Sequence, residues 1–199
     1  RLLKNAGVKK VAIIGPSHRV YLEGVSIALH EKLATPCGDL PIDQVMAKDL
    51  QERFALQFLE EAHHEHSTET QFPFLRFYLG EVEALELVYG KEDPAHLAKV
   101  IMHLLDLPEW GVVISTDLSH FYTQEEAKKR DQLCLAAIDR SDVSIMKQGG
   151  EACGAIGIEA MIQASRDLGL RPSVLDYRTS ADASGDTTRV VGYMSAAYQ

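Results

Sequence analysis

Continuous runs of apolar residues predict two strands that are buried on both faces of a sheet. The first run, residues 8 to 14, ends in Val-Ala-Ile-Ile and is bounded by Gly15-Pro16, and the second is residues 111 to 114. Continuous rather than alternating apolar residues are typical of strands in a parallel sheet. Each run leads directly into a polar segment with a histidine, His18 in the first case and His120 in the second.

The segment between these strands predicts a βαβ unit. Residues 83 to 89 alternate between apolar and other positions, which indicates a strand. Asp93 is a helix N-cap followed by Pro94 at the first helical position, and an apolar stripe follows. The stripe consists of Leu97, Val100, Ile101, Leu104 and Leu105. Strand, helix and strand in this order predict an α/β protein with a right-handed crossover.

Capping residues predict the helices in the second half of the chain. Thr123 and Glu126 have capping-box spacing and open a helix through residue 140, with Cys134 on its buried stripe. A short helix from Asp142 is predicted to be capped by Ser141. The other predicted elements are one or two short strands in residues 24 to 33, a helix over 43 to 54, a helix over 67 to 79 disturbed at Pro73, a helix from about Gly154 to Gly169, and two antiparallel strands over 173 to 178 and 189 to 198.

Composition and charge exclude several classes of function. The 199 residues are 46% apolar and 25% charged, which is typical of one folded domain, here residues 1 to 199. The formal charge of −9 removes general attraction to phosphate backbones and predicts no nucleic-acid partner. No apolar run approaches the roughly 20 residues of a membrane span and no signal peptide is recognised, which predicts a cytoplasmic protein without a membrane partner. Three cysteines in unlike contexts fit a reducing compartment.

Four side chains are predicted to meet in one polar pocket. Ligands of open α/β sheets bind beyond the carboxyl ends of the strands, and His18, Asp117 and His120 all follow such ends. Cys153 lies at the predicted start of a helix, where the helix dipole favours thiolate over thiol. Imidazole, carboxylate and thiolate bind Fe, Cu or Zn, and they also support acid/base or nucleophilic chemistry.

Each of these residues also has a purely structural interpretation. A single histidine after a strand, such as His18, is more often hydrogen-bonded in a loop than a ligand. Asp117 is suited to cap its own loop through an Asx-turn. Cys153, beside a glycine, is suited to be a small buried residue. The pocket is therefore a hypothesis that rests on the joint occurrence of the four residues.

Three histidines form a short tract at positions 63, 64 and 66. Such tracts are common on surfaces, so His63 and His64 are predicted to face solvent, whereas His66, beside the predicted cap Ser67, is a site candidate. The serines near the strand ends lack a G-x-S-x-G elbow, so a serine hydrolase is weakly supported. The sequence has no phosphate-binding GxGxxG or Walker loop and no CxxC motif.

An ordered set of short motifs resembles the Memo family. The motifs are Gly15-Pro16-Ser17-His18, Thr35-Pro36-Cys37-Gly38 with Ile42-Asp43, Glu65-His66-Ser67-Thr68-Glu69 leading to Phe72-Pro73-Phe74, Ser115-Thr116-Asp117-Leu118-Ser119-His120, and Cys153-Gly154. Each motif alone is modest, but the ordered set spans about residues 8 to 198. The family includes protein B of the AmmeMemoRadiSam system, which is named for its association with a radical-SAM protein.

The resemblance implies a fold and a set of site residues. The family is similar in structure to the LigB-type class III extradiol dioxygenases, non-haem iron enzymes, so a three-layer α/β/α fold with a mixed, largely parallel sheet is expected. It implies His18 and Cys153 as metal ligands, and His120, Asp117 and His66 as acid/base and orienting groups. A cysteine in place of the dioxygenases' carboxylate ligand shifts the preference toward Cu or redox-active Fe.

The resemblance also implies a segment upstream of this sequence. In relatives a PHAGY-like strand with a further histidine ligand precedes the first strand found here. The residues from Arg1 are expected to end the helix that follows that strand, so the chain is expected to be an N-terminally truncated Memo-like domain.

Three functions are open at this point. The first is a metal-handling or oxidoreductase-like protein that acts on a small molecule. The second is a non-catalytic adaptor that captures a peptide or a small anion in the same pocket, and the third is a partner subunit of a radical-SAM enzyme. Metal analysis, oxygen consumption and peptide titration distinguish the first two.

Overall fold

The computed structural model describes residues 2 to 199, which form two compact units. The first unit ends at Ser115, and the second comprises residues 116 to 199. The first described element is the helix Leu2–Asn5 (α1), in agreement with the helix end expected there, and Arg1 lies outside the described residues. A single domain over residues 1 to 199 stays a prediction.

A four-stranded sheet forms the centre of the first unit. The strands of this unit are Lys10–Pro16 (β1), Val25–Ile27 (β2), Lys32–Leu33 (β3), Leu40–Pro41 (β4), Glu83–Tyr89 (β5) and Trp110–Ile114 (β6). The central sheet has the order β2, β5, β1, β6, and β3 pairs only with β4. Both β5 and β6 run parallel to β1, whereas β2 is antiparallel to β5. The predicted α/β class with a mixed, largely parallel sheet is therefore confirmed.

Helices flank this sheet. After α1 they are Gln44–Arg53 (α2), His66–Glu69 (α3), Phe72–Leu79 (α4) and Pro94–Leu105 (α5), with a 3-10 helix at Glu60–His63. As predicted, Asp93 caps α5 by accepting a hydrogen bond from Ala95 N, and α5 buries its apolar stripe except for Leu105, which is half-buried. Helix α5 packs against β6, while α3 contacts β1 and β5. The arrangement is consistent with a three-layer α/β/α fold.

The helix predicted for residues 67 to 79 is two helices. Pro73 lies in the first turn of α4, where its missing N–H costs no hydrogen bond, so the break comes before the proline. Helix α3 approaches β1 closely at Gly15, where a Cβ would lie 2.6 Å from Ser67 Oγ. Glycine at position 15 therefore allows His66, on α3, to lie near the end of the strand that precedes His18.

The second unit is built on a three-stranded antiparallel sheet. Its elements are His120–Tyr122 (β7), Gln124–Asp139 (α6), Val143–Met146 (α7), Ala155–Leu168 (α8), Pro172–Thr179 (β8), Ala181–Ser184 (α9) and Val190–Tyr198 (β9). Strand β9 lies between β7 and β8 and is antiparallel to both, which confirms the predicted pairing of the two tail strands. Helix α6 packs against β8 and β9 and buries Cys134 completely, as predicted.

Two local predictions in this unit need correction. Asp142, not Ser141, caps α7, because its side chain accepts a hydrogen bond from Ser144 N at 2.9 Å while Ser141 has a left-handed backbone. The polar composition of residues 179 to 188 predicts only a loop between the two tail strands, but this segment contains the short helix α9. Helix α8 ends at Gly169 in the left-handed conformation, as predicted.

From Leu2 onwards, no helix is both long and apolar enough to cross a membrane.

Candidate functional site

Three side chains with metal-ligand atoms lie together in the second unit. Asp117 Oδ2 is 2.8 Å from His120 Nε2, and Cys153 Sγ is 3.8 Å from the same nitrogen. The ligand atoms of the three residues all lie within 4.8 Å of one another. An ionised carboxylate only accepts hydrogen bonds, so His120 donates to Asp117 through its Nε2–H.

The loop that precedes β7 is fixed by buried contacts. Leu118 is fully buried in a core cluster of the second unit. Ser119 N donates to Asp131 Oδ1 at 2.9 Å, and Tyr177 OH donates to Oδ2 of the same buried carboxylate at 2.7 Å. Leu118 N donates to Gly192 O on β9, and Gly192 N donates to Ser119 O. A Cβ at Gly192 would overlap Asp131, so only glycine lets β9 pass this close.

A hydroxyl connects the same loop to the residue after Cys153. Gly154 N donates to Thr116 Oγ1 at 2.8 Å, and this hydroxyl donates to Asp117 O at 2.7 Å. Cys153 precedes Gly154, which is the N-cap of α8. The thiol is therefore positioned through the backbone beside the carboxylate of Asp117.

The thiol of Cys153 is more basic than the sequence predicted. Desolvation of the sulfur is the largest cause, and the hydrogen bond to Asp117 and its negative charge act in the same direction. Together they raise the pKa of Cys153 to about 12. The predicted effect of the helix dipole does not prevail, because Cys153 lies outside α8 and next to an anion. At neutral pH this side chain is a thiol, which corrects the expectation of a thiolate.

A cavity of about 380 Å³ adjoins the cluster. Its lining residues are Leu118, His120, Gly150, Glu151, Ala152, Cys153 and Ala155. Cys153 is exposed. The volume lies within the range of small-molecule sites in proteins.

The first unit contains a second cluster, formed by His18, Glu65 and His66. Glu65 Oε1 lies 3.1 Å from His18 Nδ1 and 2.8 Å from His66 Nδ1. Its two oxygens also accept hydrogen bonds from the backbone N–H groups of His18 and Ser67. Burial alone would raise the pKa of Glu65, but the donors from His18 and Ser67 outweigh it and lower the pKa below its ordinary value. Glu65 is therefore a buried, ionised carboxylate.

His63 does not face solvent, and the prediction that it does was wrong. Its side chain is 3% exposed, with Nε2 at 2.8 Å from Ser26 Oγ and Nδ1 at 3.0 Å from Glu86 Oε2. Thr68 Oγ1 donates to the other oxygen of Glu86. The order serine, histidine, carboxylate resembles a hydrolase triad, but Ser26 is completely buried and therefore out of reach of a substrate. His64 is exposed, as predicted.

The predicted site residues thus fall into two groups. The first unit holds His18 and His66, and the second holds Asp117, His120 and Cys153. One pocket shared by all of them stays a prediction, as do their roles. Sequence reasoning missed two buried carboxylates that organise these groups, Glu65 and Asp131. A signal existed for both, since Glu65 lies within the histidine tract and Asp131 lies three residues before the core residue Cys134 on α6.

Fold and side chains together define an α/β protein with two clusters, among residues 2 to 199, that could hold a metal ion. The chain belongs to the family described as Memo-like protein, which matches residues 1 to 197. The predicted family is thereby confirmed, whereas the relation to LigB-type dioxygenases stays a prediction.

Curated relatives support the same assignment. The chain is 30% identical over 197 residues to a MEMO1 family protein of Thermotoga maritima, covering 94% of this chain and 70% of the relative. It is 31% identical over 211 residues to a MEMO1 family protein of Methanobrevibacter smithii, covering 100% and 75%. A MEMO1 family protein of Methanosarcina acetivorans is 33% identical over 195 residues, with 91% and 72% covered.

Proposed function

We propose that this protein binds a redox-active metal ion, Fe or Cu, through the cluster of Asp117, His120 and Cys153. The observation that carries the proposal is the 4.8 Å limit on the separation of the three ligand atoms. Ligand atoms that lie about 2.0 to 2.3 Å from a metal are at most about 4.6 Å apart. A small contraction of the cluster therefore suffices for binding.

The donor set supports the choice of metal. Sulfur from Cys153 is a soft ligand that favours Cu or redox-active Fe, and imidazole from His120 suits both. Three protein ligands leave a coordination position for a small molecule, and the adjoining cavity of about 380 Å³ offers space for one. When bound, the metal would supply Lewis acidity and one-electron chemistry.

Asp117 holds a proton on His120 and a proton on Cys153 by hydrogen bonding. It accepts hydrogen bonds from His120 Nε2–H and from the Cys153 thiol. The thiol proton has to leave, and the imidazole proton has to move to Nδ1, before sulfur and Nε2 can act as ligands. We therefore expect metal uptake by this cluster to release protons.

The family resemblance suggests a variant of this assignment. In it His18 and Cys153 are ligands, His120 serves as the acid/base group toward the small molecule, and Asp117 orients His120. The two versions differ in what His120 does. Loss of metal from His120→Ala indicates a ligand, whereas retained metal with lost turnover indicates an acid/base role.

Metal content after anaerobic purification and loading with Fe(II) or Cu(I) tests the proposal. We expect the wild-type protein to retain close to one metal ion per chain, and Cys153→Ser to retain at most about a tenth of that, because the soft ligand is gone. Cys37→Ser and His64→Ala are matched controls, since both residues are exposed and lie outside the clusters. His18→Ala tests whether the predicted ligand in the first unit contributes.

Equal metal content in Cys153→Ser and the wild-type protein, with folding of both verified by circular dichroism, would overturn the proposal. Binding that the two control substitutions weaken as strongly as Cys153→Ser would contradict it as well, because it would show nonspecific capture by exposed thiols and imidazoles.

A further inference from the structure

One oxygen atom of Glu65 faces two imidazoles at once. Oε1 lies 2.8 Å from Nδ1 of His66 and 3.1 Å from Nδ1 of His18. The two rings lie side by side, with centroids 4.8 Å apart and planes inclined by 41°. The carboxylate itself is 1% exposed, so water does not compete for its oxygens. The second oxygen is occupied by the backbone N–H of His18 at 2.6 Å.

The ionised state of Glu65 decides which ring nitrogens carry protons. A carboxylate has acceptors only, so Nδ1 of His18, which is hydrogen-bonded to Oε1, must be an N–H donor. A neutral imidazole carries one proton, which leaves the lone pair on Nε2 of His18. A carboxylate that accepts a hydrogen bond from one ring nitrogen of a histidine fixes the tautomer and the orientation of the ring. It also makes the other ring nitrogen more basic.

We propose that Glu65 is a positioning residue that holds His18 in the Nδ1–H tautomer and presents its Nε2 atom as a free acceptor beside the ring of His66. The side chains of His18 and His66 are 33% and 54% exposed, so a ligand can reach both. Among the described residues of the first unit, Nε2 of His18 has no hydrogen-bond partner. A ligand with a Lewis-acidic centre or an acidic N–H or O–H group matches such an acceptor.

The backbone reinforces this arrangement. Glu65 is the N-cap of α3 and accepts a hydrogen bond from Ser67 N, so the residue that orients the imidazoles also fixes the start of the helix that carries His66. Ser67 Oγ donates to Pro16 O, two residues before His18. Both histidine backbones are thus connected to the same short helix.

The use of Nε2 of His18 rests on the variant of the proposed function in which His18 is a metal ligand, but the tautomer does not. Long-range ¹H–¹⁵N correlation spectra of the metal-free protein report the protonation of each ring nitrogen directly. They are recorded at a pH where the ¹⁵N shifts no longer change, so that the rings are neutral. His18→Gln and His66→Gln assign the signals.

We expect the wild-type spectra to show unprotonated Nε2 and protonated Nδ1 in the ring of His18. In Glu65→Gln, whose amide can donate as well as accept, the Nε2 signal of His18 should move toward the protonated range, because the tautomer is no longer imposed. Glu69→Gln, an exposed glutamate on the same helix, should leave the spectra unchanged. A wild-type spectrum with Nε2–H in the ring of His18 would overturn the proposal, whether or not Glu65→Gln folds.

Metal binding is a separate readout. If His18 is a ligand, Glu65→Gln should weaken metal binding by about tenfold to a hundredfold, as expected for loss of a carboxylate that orients a ligand. A wild-type Nδ1–H tautomer of His18 without any metal binding would leave the role of Glu65 intact and defeat the metal proposal alone. A Glu65→Gln protein with an unchanged His18 tautomer would contradict the role of Glu65.

Discussion

The environment of a single thiol illustrates how local charge controls chemistry in this protein. Desolvation and the Asp117 carboxylate together raise the pKa of Cys153 to about 12. Since the thiolate is the reactive form, alkylation of Cys153 by iodoacetamide at about pH 8 should be slow despite its exposure. In Asp117→Asn the negative charge is gone, and each unit by which the thiol pKa falls should raise the thiolate fraction about tenfold and the rate about threefold, because a less basic thiolate is a weaker nucleophile. Mass spectrometry of digested, metal-free protein measures the rate.

Two other cysteines serve as references in the same digest. Cys37 is exposed, and its rate should not depend on Asp117, whereas Cys134 is buried with a pKa raised to about 11 and should react only on unfolding. Equal alkylation rates for Cys153 in the wild-type and Asp117→Asn proteins would show that the carboxylate does not control the thiol.

At the scale of residues, the sequence revealed contacts between side chains that are close along the chain. Asp117 and His120 are three residues apart and pair directly. The burial of His63 was missed because its partner Glu86 is 23 residues away on a strand. The basic thiol of Cys153 was missed for a similar reason, since Asp117 is remote in sequence. Motif position alone does not reveal such contacts.

At the scale of elements, the start of α2 combines a cap with an ion pair. Asp43 accepts a hydrogen bond from Met46 N at 2.9 Å and lies 2.6 Å from Lys10 Nζ. Burial opposes ionisation, but Lys10 and the backbone donors prevail, so the pKa of Asp43 is lowered and that of Lys10 is raised. This stability is present above the unfolded pKa of about 3.9 and is lost as the pH falls through the lower folded pKa.

Substitution of Asp43 should therefore have a pH-dependent cost. At pH 7, Asp43→Ala should lower the free energy of unfolding by about 1 to 2 kcal/mol, whereas Asp43→Asn should cost less because asparagine also caps helices. The difference between wild type and Asp43→Ala should shrink below about pH 4. Urea unfolding measures both, with the exposed Glu52→Gln on α2 as control. A difference that does not depend on pH would contradict this account.

Elements with local signals were predicted well. Helices α5 and α6 have their capping residues and buried stripes within one segment, and both begin where predicted. Strand β7 has only three residues and exists because it pairs with β9, about 70 residues later in the chain. No pattern within three residues specifies such a partner, so this strand could not be predicted.

At the scale of the whole molecule, metal binding should appear as stability. A metal ion that binds only the folded chain, at a hundredfold excess over its Kd, adds about 2.7 kcal/mol to the free energy of unfolding. For a chain of this length that corresponds to a rise in Tm of roughly 5 to 10 °C. Thermal unfolding with and without Fe(II) or Cu(I) measures the shift, which Cys153→Ser should abolish.

Cys37→Ser is the matched control and should keep the full shift, because Cys37 lies outside both clusters. A similar rise in Tm for the wild-type and Cys153→Ser proteins would place the stabilising metal elsewhere in the molecule.

The position of β9 determines when the cluster of Asp117, His120 and Cys153 can form. Its residue Gly192 holds the backbone on both sides of the Leu118–Ser119 peptide, and its first residues pair with β7. Ribosomes build a chain from its N-terminus, so all three side chains are synthesised well before the strand that orders their loop. A nascent chain therefore carries the three side chains without their geometry, and the metal ion proposed above would be bound only after β9 has been synthesised.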